Sequence, residues 1–195
     1  MYIVLEGIDG VGKSSQIKLL EEYLEKKNIS TKSMVEPTDS EIGQLIRKEL
    51  LKSDATEDIN QQMLALLFAA DRLTLKKEIL EAKNSHDKFI ISDRSFYSSI
   101  CYQNNPTVTT QWIRQVNMHT PRPDLTILLD LDEKESIKRC DGVETFENTE
   151  FLEKTRQNYI KLLREESNMI EVDANQSIDE VHEDIIKIIK EKMKC

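Results

Sequence analysis

Five short runs rich in apolar and β-branched residues punctuate the chain, at 2–6, 31–35, 88–92, 125–131 and 169–172, and each reads as a β-strand. Between them lie longer segments in which apolar residues recur at three- and four-residue intervals. Ile17, Leu20, Tyr23 and Leu24 form one such stripe, and Ile185, Ile186, Ile188 and Ile189 another, which predicts amphipathic helices. Alternation of strand and helix predicts an α/β architecture: a five-stranded parallel sheet flanked by helices on both faces. Ligands of such sheets gather at the carboxyl ends of the strands. The mixed Glu and Lys tracts at 21–27 and 187–194 read as solvated helix faces. No repeat or Pro/Gly/Ser-rich linker interrupts the pattern, so residues 1–195 are expected to form one domain.

Composition narrows the partners. A chain of 195 residues with 38% hydrophobic and 32% charged residues is globular, neither disordered nor membrane-embedded. No apolar run approaches the ~20 residues a spanning helix needs, and a strand beginning at Tyr2 leaves no room for a signal peptide, so a cytoplasmic location is expected. Three cysteines without metal-ligand spacing are expected to be free thiols. The formal charge of −9 argues against nucleic acid or an anionic membrane as partner. A phosphate ligand must then be held by a local cationic site.

Such a site follows the first strand. Gly7, Ile8, Asp9, Gly10, Val11, Gly12, Lys13 and Ser14 match G-x-x-x-x-G-K-[ST], between a strand and an amphipathic helix, the context this phosphate-binding P-loop requires. The glycines let the backbone aim its N–H groups at phosphate oxygens, and the helix N-terminus favours negative charge. Lys13 would reach the β- and γ-phosphates of ATP and the Ser14 hydroxyl would ligate Mg²⁺; Ser15 completes the cradle. No Asn-Lys-x-Asp segment is present to read guanine, which argues against a GTPase.

The third apolar run ends in Ser92, Asp93, Arg94 and Ser95. A carboxylate and a guanidinium here would face the P-loop across the top of the sheet, Asp93 towards the Mg²⁺ shell and Arg94 as a bidentate fork for an acceptor phosphate. A phosphate monoester acceptor has a second pKa near 6, is already anionic at neutral pH, and needs no general base.

The opening from Glu6 to Gln16 resembles that of thymidylate kinases, and four further blocks agree with that family. These are Glu36-Pro37-Thr38 with Ile42-Gly43 and Ile46-Arg47; 66–72, ending Phe68-Ala69-Ala70-Asp71-Arg72; 92–103; and Pro123-Asp124 with Leu129-Asp130-Leu131. The resemblance implies the three-layer P-loop NTPase fold with a short lid at roughly 138–150, ATP and dTMP as ligands, and a homodimer. It further implies that Phe68 stacks on thymine and Arg72 donates to an exocyclic oxygen; as i and i+4 on one helix they share a face. Arg47 and Arg94 would hold the acceptor phosphate, Ser99 and Gln103 read the base edge, Tyr102 crowd the sugar 2′ position, and Asp9 and Glu36 lie near the deoxyribose and metal.

Gly10 stands where some members of the family carry arginine, so the resemblance implies that the lid supplies a cation to the transferring phosphoryl group. Thr145 occupies a position where arginine is expected and Val35 one where many relatives are basic, which leaves Arg139, with Lys138 beside it, and Arg156 as the candidate cations. Three other readings stand beside this one: a kinase for another nucleoside monophosphate, a deoxynucleoside kinase, and a nucleotide-binding module without turnover.

Overall fold

The computed structural model describes residues 1–55, 57–139 and 149–193. In chain order the elements are β1 (Tyr2–Glu6), α1 (Lys13–Glu25), β2 (Ser30–Val35), α2 (Glu41–Leu50), α3 (Asp58–Thr74), α4 (Lys76–Lys83) and β3 (Lys88–Asp93). They continue as α5 (Phe96–Tyr102), α6 (Thr110–Val116), β4 (Leu125–Asp130), α7 (Glu133–Arg139), α8 (Thr149–Glu165), β5 (Met169–Asp173) and α9 (Ile178–Lys192). The strands differ from the sequence reading by single residues at their ends. β3, for example, keeps Asp93 because it still pairs with Leu5 of β1 and Val35 of β2.

All pairings are parallel, in the order β2-β3-β1-β4-β5. Alternate side chains of a strand face opposite sides, and the central strands use both sides for core. Ile3, Leu5, Phe89, Ile91, Leu125, Ile127 and Leu129 pack under α1 and α9, against Ile17, Leu20, Leu24, Val181, Ile185 and Ile189. On the other face Tyr2, Val4 and Ile90 meet Ile79 and Ala82 of α4, and Leu128 meets Phe96, Ile100, Ile113, Tyr159 and Leu162 of α5, α6 and α8. The three central strands are therefore almost wholly buried, as their predominantly apolar runs predict. The outer strands β2 and β5 are mostly exposed, with Met34 buried in the first and Met169 and Val172 in the second.

β1 runs at the centre of the sheet into the turn 7–12, with β3 on one side and β4 on the other. Gly7, Gly10 and Gly12 all take positive φ, of 141°, 77° and 95°, a backbone in which side chains are strained. A Cβ on Gly7 would also sit 2.6 Å from the Leu129 carbonyl oxygen of β4. Ile8 and Val11 of the turn are buried in the core beneath it, which anchors the loop.

Candidate functional site

The turn at 7–14 opens into a cleft of about 1520 Å³ that runs along the carboxyl ends of the strands. Pockets for a single small ligand run to ≈ 300–1,000 Å³, so this cleft has room for more than one. At one end its wall is formed by 9–16 with Gln176, Ser177 and Ile178 ahead of and in the first turn of α9. At the other end it is formed by Glu36, Arg47, Phe68, Arg72, Ser99 and Gln103, with Asp93, Arg94 and Tyr102 along it. Of the residues assigned to binding or catalysis from the sequence, all but the buried turn residues Gly7 and Ile8 line this cleft; of the candidate lid cations, Arg139 does, whereas Lys138 and Arg156 do not.

Lys13, only 6% exposed, folds back on the turn and donates to the carbonyls of Gly7 (3.3 Å) and Ile8 (3.1 Å). Burial, reinforced by the Arg94 guanidinium, lowers its ammonium from 10.5 to about 8. Ser14 donates from its hydroxyl to Asp93 Oδ2 at 3.2 Å. Asp93 Oδ1 is buried without a partner, an unusual state for a carboxylate oxygen. A serine hydroxyl beside a carboxylate with a spare oxygen is a hard-oxygen donor set that fits Mg²⁺, which takes one or two protein ligands and the rest from water and phosphate.

Arg94 takes a left-handed backbone, φ 76°, which is strained for a side chain of this size. From there its guanidinium donates through Nη1 to Gly7 O (3.2 Å), Ser98 Oγ (3.1 Å) and Tyr159 Oη (3.5 Å), and through Nη2 to Tyr102 Oη (3.1 Å) and Asp9 Oδ1. The Tyr102 hydroxyl also donates to Asp9, and the Tyr102 ring lies 4.8 Å below the guanidinium. Burial works against charge on Asp9, but Arg94 and Lys13 together hold its carboxyl below the usual range.

Phe68 and Arg72 converge as i and i+4 of α3, the guanidinium 5.4 Å from the ring centre. Arg72 is 4% exposed and ion-paired with Glu36 at 2.7 Å, and it also donates to Asn117 Oδ1, Ser95 O and Ser99 Oγ. Burial pushes the Glu36 carboxyl up to about 7 against the pull of Arg72. Glu36 is thus the counter-ion of Arg72 as well as a lining residue. Gln103 is buried with its Oε1 unpartnered, and so is Gln61 from the preceding turns of α3. Arg47 donates to the Thr38 (2.6 Å) and Pro37 (2.5 Å) carbonyls, leaving it half-exposed at the rim.

Of the candidate lid cations, Arg139 ends α7, is exposed and lines the cleft. Arg156 is not among the residues lining the cleft: it forks onto both oxygens of Asp130 at 2.7 Å and reaches Glu133 at 3.2 Å. Thr145 and the rest of 140–148 lie outside the described residues, as do Cys140 and Cys195; Cys101 is a free, buried thiol.

Sequence reasoning missed three contributors. Lys154 of α8 is exposed and lines the cleft, as Arg139 does. Asp71, fully buried, accepts from Thr38 N, Thr38 Oγ1 and Ser40 Oγ at 2.6–2.8 Å, and so fixes the 38–40 turn to the helix that carries Phe68 and Arg72. Glu6, also fully buried, accepts from Ser95, Ser98 and Tyr159. An acidic residue inside an apolar run was the available signal for Glu6 and Asp71; nothing in the local pattern pointed to Lys154.

Comparison with known proteins gives a consistent result. A family model described as Thymidylate kinase matches residues 5–185. A probable thymidylate kinase of Methanosphaera stadtmanae is 62% identical over 194 residues, covering 97% of this chain and 100% of the relative. Another, of Methanobrevibacter smithii, is 47% identical over 189 residues, covering 97% and 94%. The solved thymidylate kinase of Candida albicans superposes with a TM-score of 0.78 at 28% identity, covering 98% of this chain and 92% of that one.

Proposed function

The chain belongs to the thymidylate kinase family, and we propose that it transfers the γ-phosphoryl group of ATP to the phosphate of dTMP within this cleft. A phosphate oxygen of dTMP attacks the γ-phosphorus, the bond to the bridging oxygen of ADP breaks, and dTDP and ADP leave. The observation that carries this assignment is one cleft with a P-loop at one end, an aromatic–guanidinium pair at the other, and Arg94 between them.

In this reading ATP lies over Gly7–Ser15 with Lys13 on its β- and γ-phosphates. dTMP lies with its base on Phe68, its edge towards Arg72, Ser99 and Gln103, its sugar beside Asp9, Tyr102 and Glu36, and its phosphate on Arg94 and Arg47. Two anions must meet, and Lys13 and Arg94 offset their repulsion and align them. Ser14 and Asp93 would hold Mg²⁺, which when bound neutralises charge on the phosphates of ATP. Arg139 and Lys154 are exposed cations lining the cleft that could serve the donor, with the lid at roughly 138–150 as part of one kinase domain.

Homodimerisation is part of the proposal. Ile59, Met63, Leu66, Ala70 and Leu73 of α3 are all exposed, at alternating spacings of four and three, the a/d pattern of a helix that packs on another. The opposite face of α3 carries the cleft residues, so a twofold pairing of α3 with a second copy would cover the stripe and brace the thymine end. No helix among the described residues is long and apolar enough to cross a membrane; the cytoplasm is the proposed compartment.

ADP release measured with ATP, Mg²⁺ and a panel of nucleoside monophosphates plus thymidine tests the function. Stimulation by dTMP that is lost in Lys13→Ala is the expected outcome. Stimulation by thymidine alone would indicate a deoxynucleoside kinase. Stimulation by a different monophosphate would overturn the base-site assignment, and tight dTMP binding without turnover would mark a non-catalytic module.

A further inference from the structure

We propose that Glu6 is a positioning residue for phosphate recognition: through the hydroxyls of Ser98 and Tyr159 it holds the Arg94 guanidinium in register with the acceptor. The inference rests on Arg94 being the ligand of the acceptor phosphate.

Glu6 is the last residue of β1, with no exposure to solvent, and among the described residues no ion pair involves it. Burying an acid in a central strand costs free energy that an apolar residue would not, so its partners must account for it. Among the described residues there are three, all hydroxyls: Ser95 donates to Oε1 at 2.7 Å, while Ser98 and Tyr159 donate to Oε2 at 2.7 and 2.8 Å. A carboxylate can only accept, and a hydroxyl has a single proton. Once the protons of Ser98 and Tyr159 are committed to this site, their lone pairs are what remains for other partners. Both oxygens face Nη1 of Arg94, at 3.1 and 3.5 Å, and they lie 2.9 Å from each other. A guanidinium can only donate. Glu6 therefore sets the polarity of a two-hydroxyl relay so that it meets Arg94 with acceptors.

The geometry also ties together parts of the chain remote in sequence. Glu6 belongs to the strand that leads into the P-loop, Ser98 to α5, and Tyr159 to α8. Arg94 itself donates to Gly7 O, the residue next to Glu6. A shift of the relay would thus move the acceptor cation relative to the donor cradle, and misplacement on the scale of an ångström can cost roughly a hundredfold in rate. Ser95 does separate work, since its hydroxyl also caps α5 by accepting from Tyr97 N; Ser98 and Tyr159 are the informative positions.

The experiment compares dTMP with thymidine, which lacks the phosphate, in binding to the full chain by calorimetry, together with dTMP kinetics. Tyr159→Phe and Ser98→Ala are expected to weaken dTMP roughly tenfold and to lower kcat/KM for dTMP at least as much. Thymidine and ADP affinities should move less than about twofold, because their contacts do not include Arg94's acceptor face. Ser98→Thr, which keeps the hydroxyl, should retain the wild-type dTMP-to-thymidine ratio. Glu6→Gln, which places an amide donor in the hydroxyl cluster, should reproduce the loss, and adding it to Arg94→Ala should produce no further selective loss. If Glu6→Gln does not fold, Tyr159→Phe decides the matter, since it removes one oxygen and no charge. Equal weakening of dTMP and thymidine by Tyr159→Phe would mean a structural role and overturn the inference, as would an unchanged ratio. Arg94→Ala separates this from the underlying assignment: if it leaves the dTMP-to-thymidine ratio unchanged, the phosphate role of Arg94 itself fails. If it lowers that ratio while Glu6→Gln and Tyr159→Phe do not, only the relay fails.

Discussion

If Lys13 grips the donor phosphates as proposed, donor binding should depend on pH. In the ligand-free cleft burial and Arg94 lower its pKa to about 8, and its hydrogen-bond acceptors are two neutral carbonyls. A polyphosphate in the cradle adds anionic oxygens at hydrogen-bond range, which favours the charged form and returns the pKa upward. The free protein then loses the Lys13 proton as pH rises through about 8 while the complex keeps it, so binding takes up a proton and affinity falls above that pH. From a pKa of about 8, the charged fraction drops from about nine-tenths at pH 7 to about one-tenth at pH 9, so the Kd for ADP should rise about tenfold, or ~1.4 kcal/mol. Calorimetry at each pH, in two buffers of different ionisation enthalpy, reads both the Kd and the proton count. Lys13→Arg is the control, since a guanidinium does not titrate in this range and should give a flat profile. A flat wild-type profile between pH 7 and 9, or an equal slope in Lys13→Arg, would refute the reasoning.

Three other expectations follow from the same geometry. Phe68→Ala should weaken dTMP binding by ~1–3 kcal/mol, the range for base stacking on an aromatic ring, with ADP binding unchanged; calorimetry showing unaltered dTMP affinity would return Phe68 to a packing role. Glu36, raised to about 7 in the folded protein against 4.5 for a free side chain, makes the wild type lose stability as pH climbs between those values. Thermal melts of Glu36→Gln should lack that slope, and an identical slope would show that another group titrates. Leu66→Arg on the exposed stripe of α3 should convert dimer to monomer in sedimentation velocity, whereas an unchanged sedimentation coefficient would exclude this face as the interface.

The sheet was legible because its central strands are buried on both faces and so appear as predominantly apolar runs. Their order was not, since it depends on which helices pack on which face, a property of the assembled core. Phe68 and Arg72 could be paired by helical spacing alone, and Lys13 and Ser14 by the P-loop spacing. What escaped the sequence was the second layer. Arg72 looked like a free donor, yet four of its hydrogen bonds go to protein groups, with Glu36 reaching it across 36 positions. Arg156 looked like a spare cation until Asp130 and Glu133 claimed it. Glu6 and Tyr159 meet across 153 positions. Local periodicity carries no information about such long-range polar contacts, and these contacts decide which charges remain available to a ligand.

That accounting separates the two ends of the cleft. At the proposed acceptor end, Arg72 is buried, Arg94 is largely so, and each is held by several protein acceptors, so their geometry is set before any nucleotide arrives. Cations fixed in a water-poor site stabilise developing charge without reorganising during the reaction. At the donor end Lys13 rests on the loop's own carbonyls, and Arg139 and Lys154 stand exposed at the rim. With ATP placed as proposed, Lys13 would have to exchange those carbonyls for phosphate oxygens and the exposed Arg139 and Lys154 would have to order around the ligand, which costs side-chain entropy and loosens their fit to any one ligand. The two ends should therefore differ in selectivity. Small changes in the acceptor leave buried donors unpaired and are penalised heavily, whereas a phosphate donor gripped by a P-loop backbone and by mobile cations is read chiefly through its phosphates. Discrimination among acceptors should accordingly exceed discrimination among nucleoside triphosphate donors.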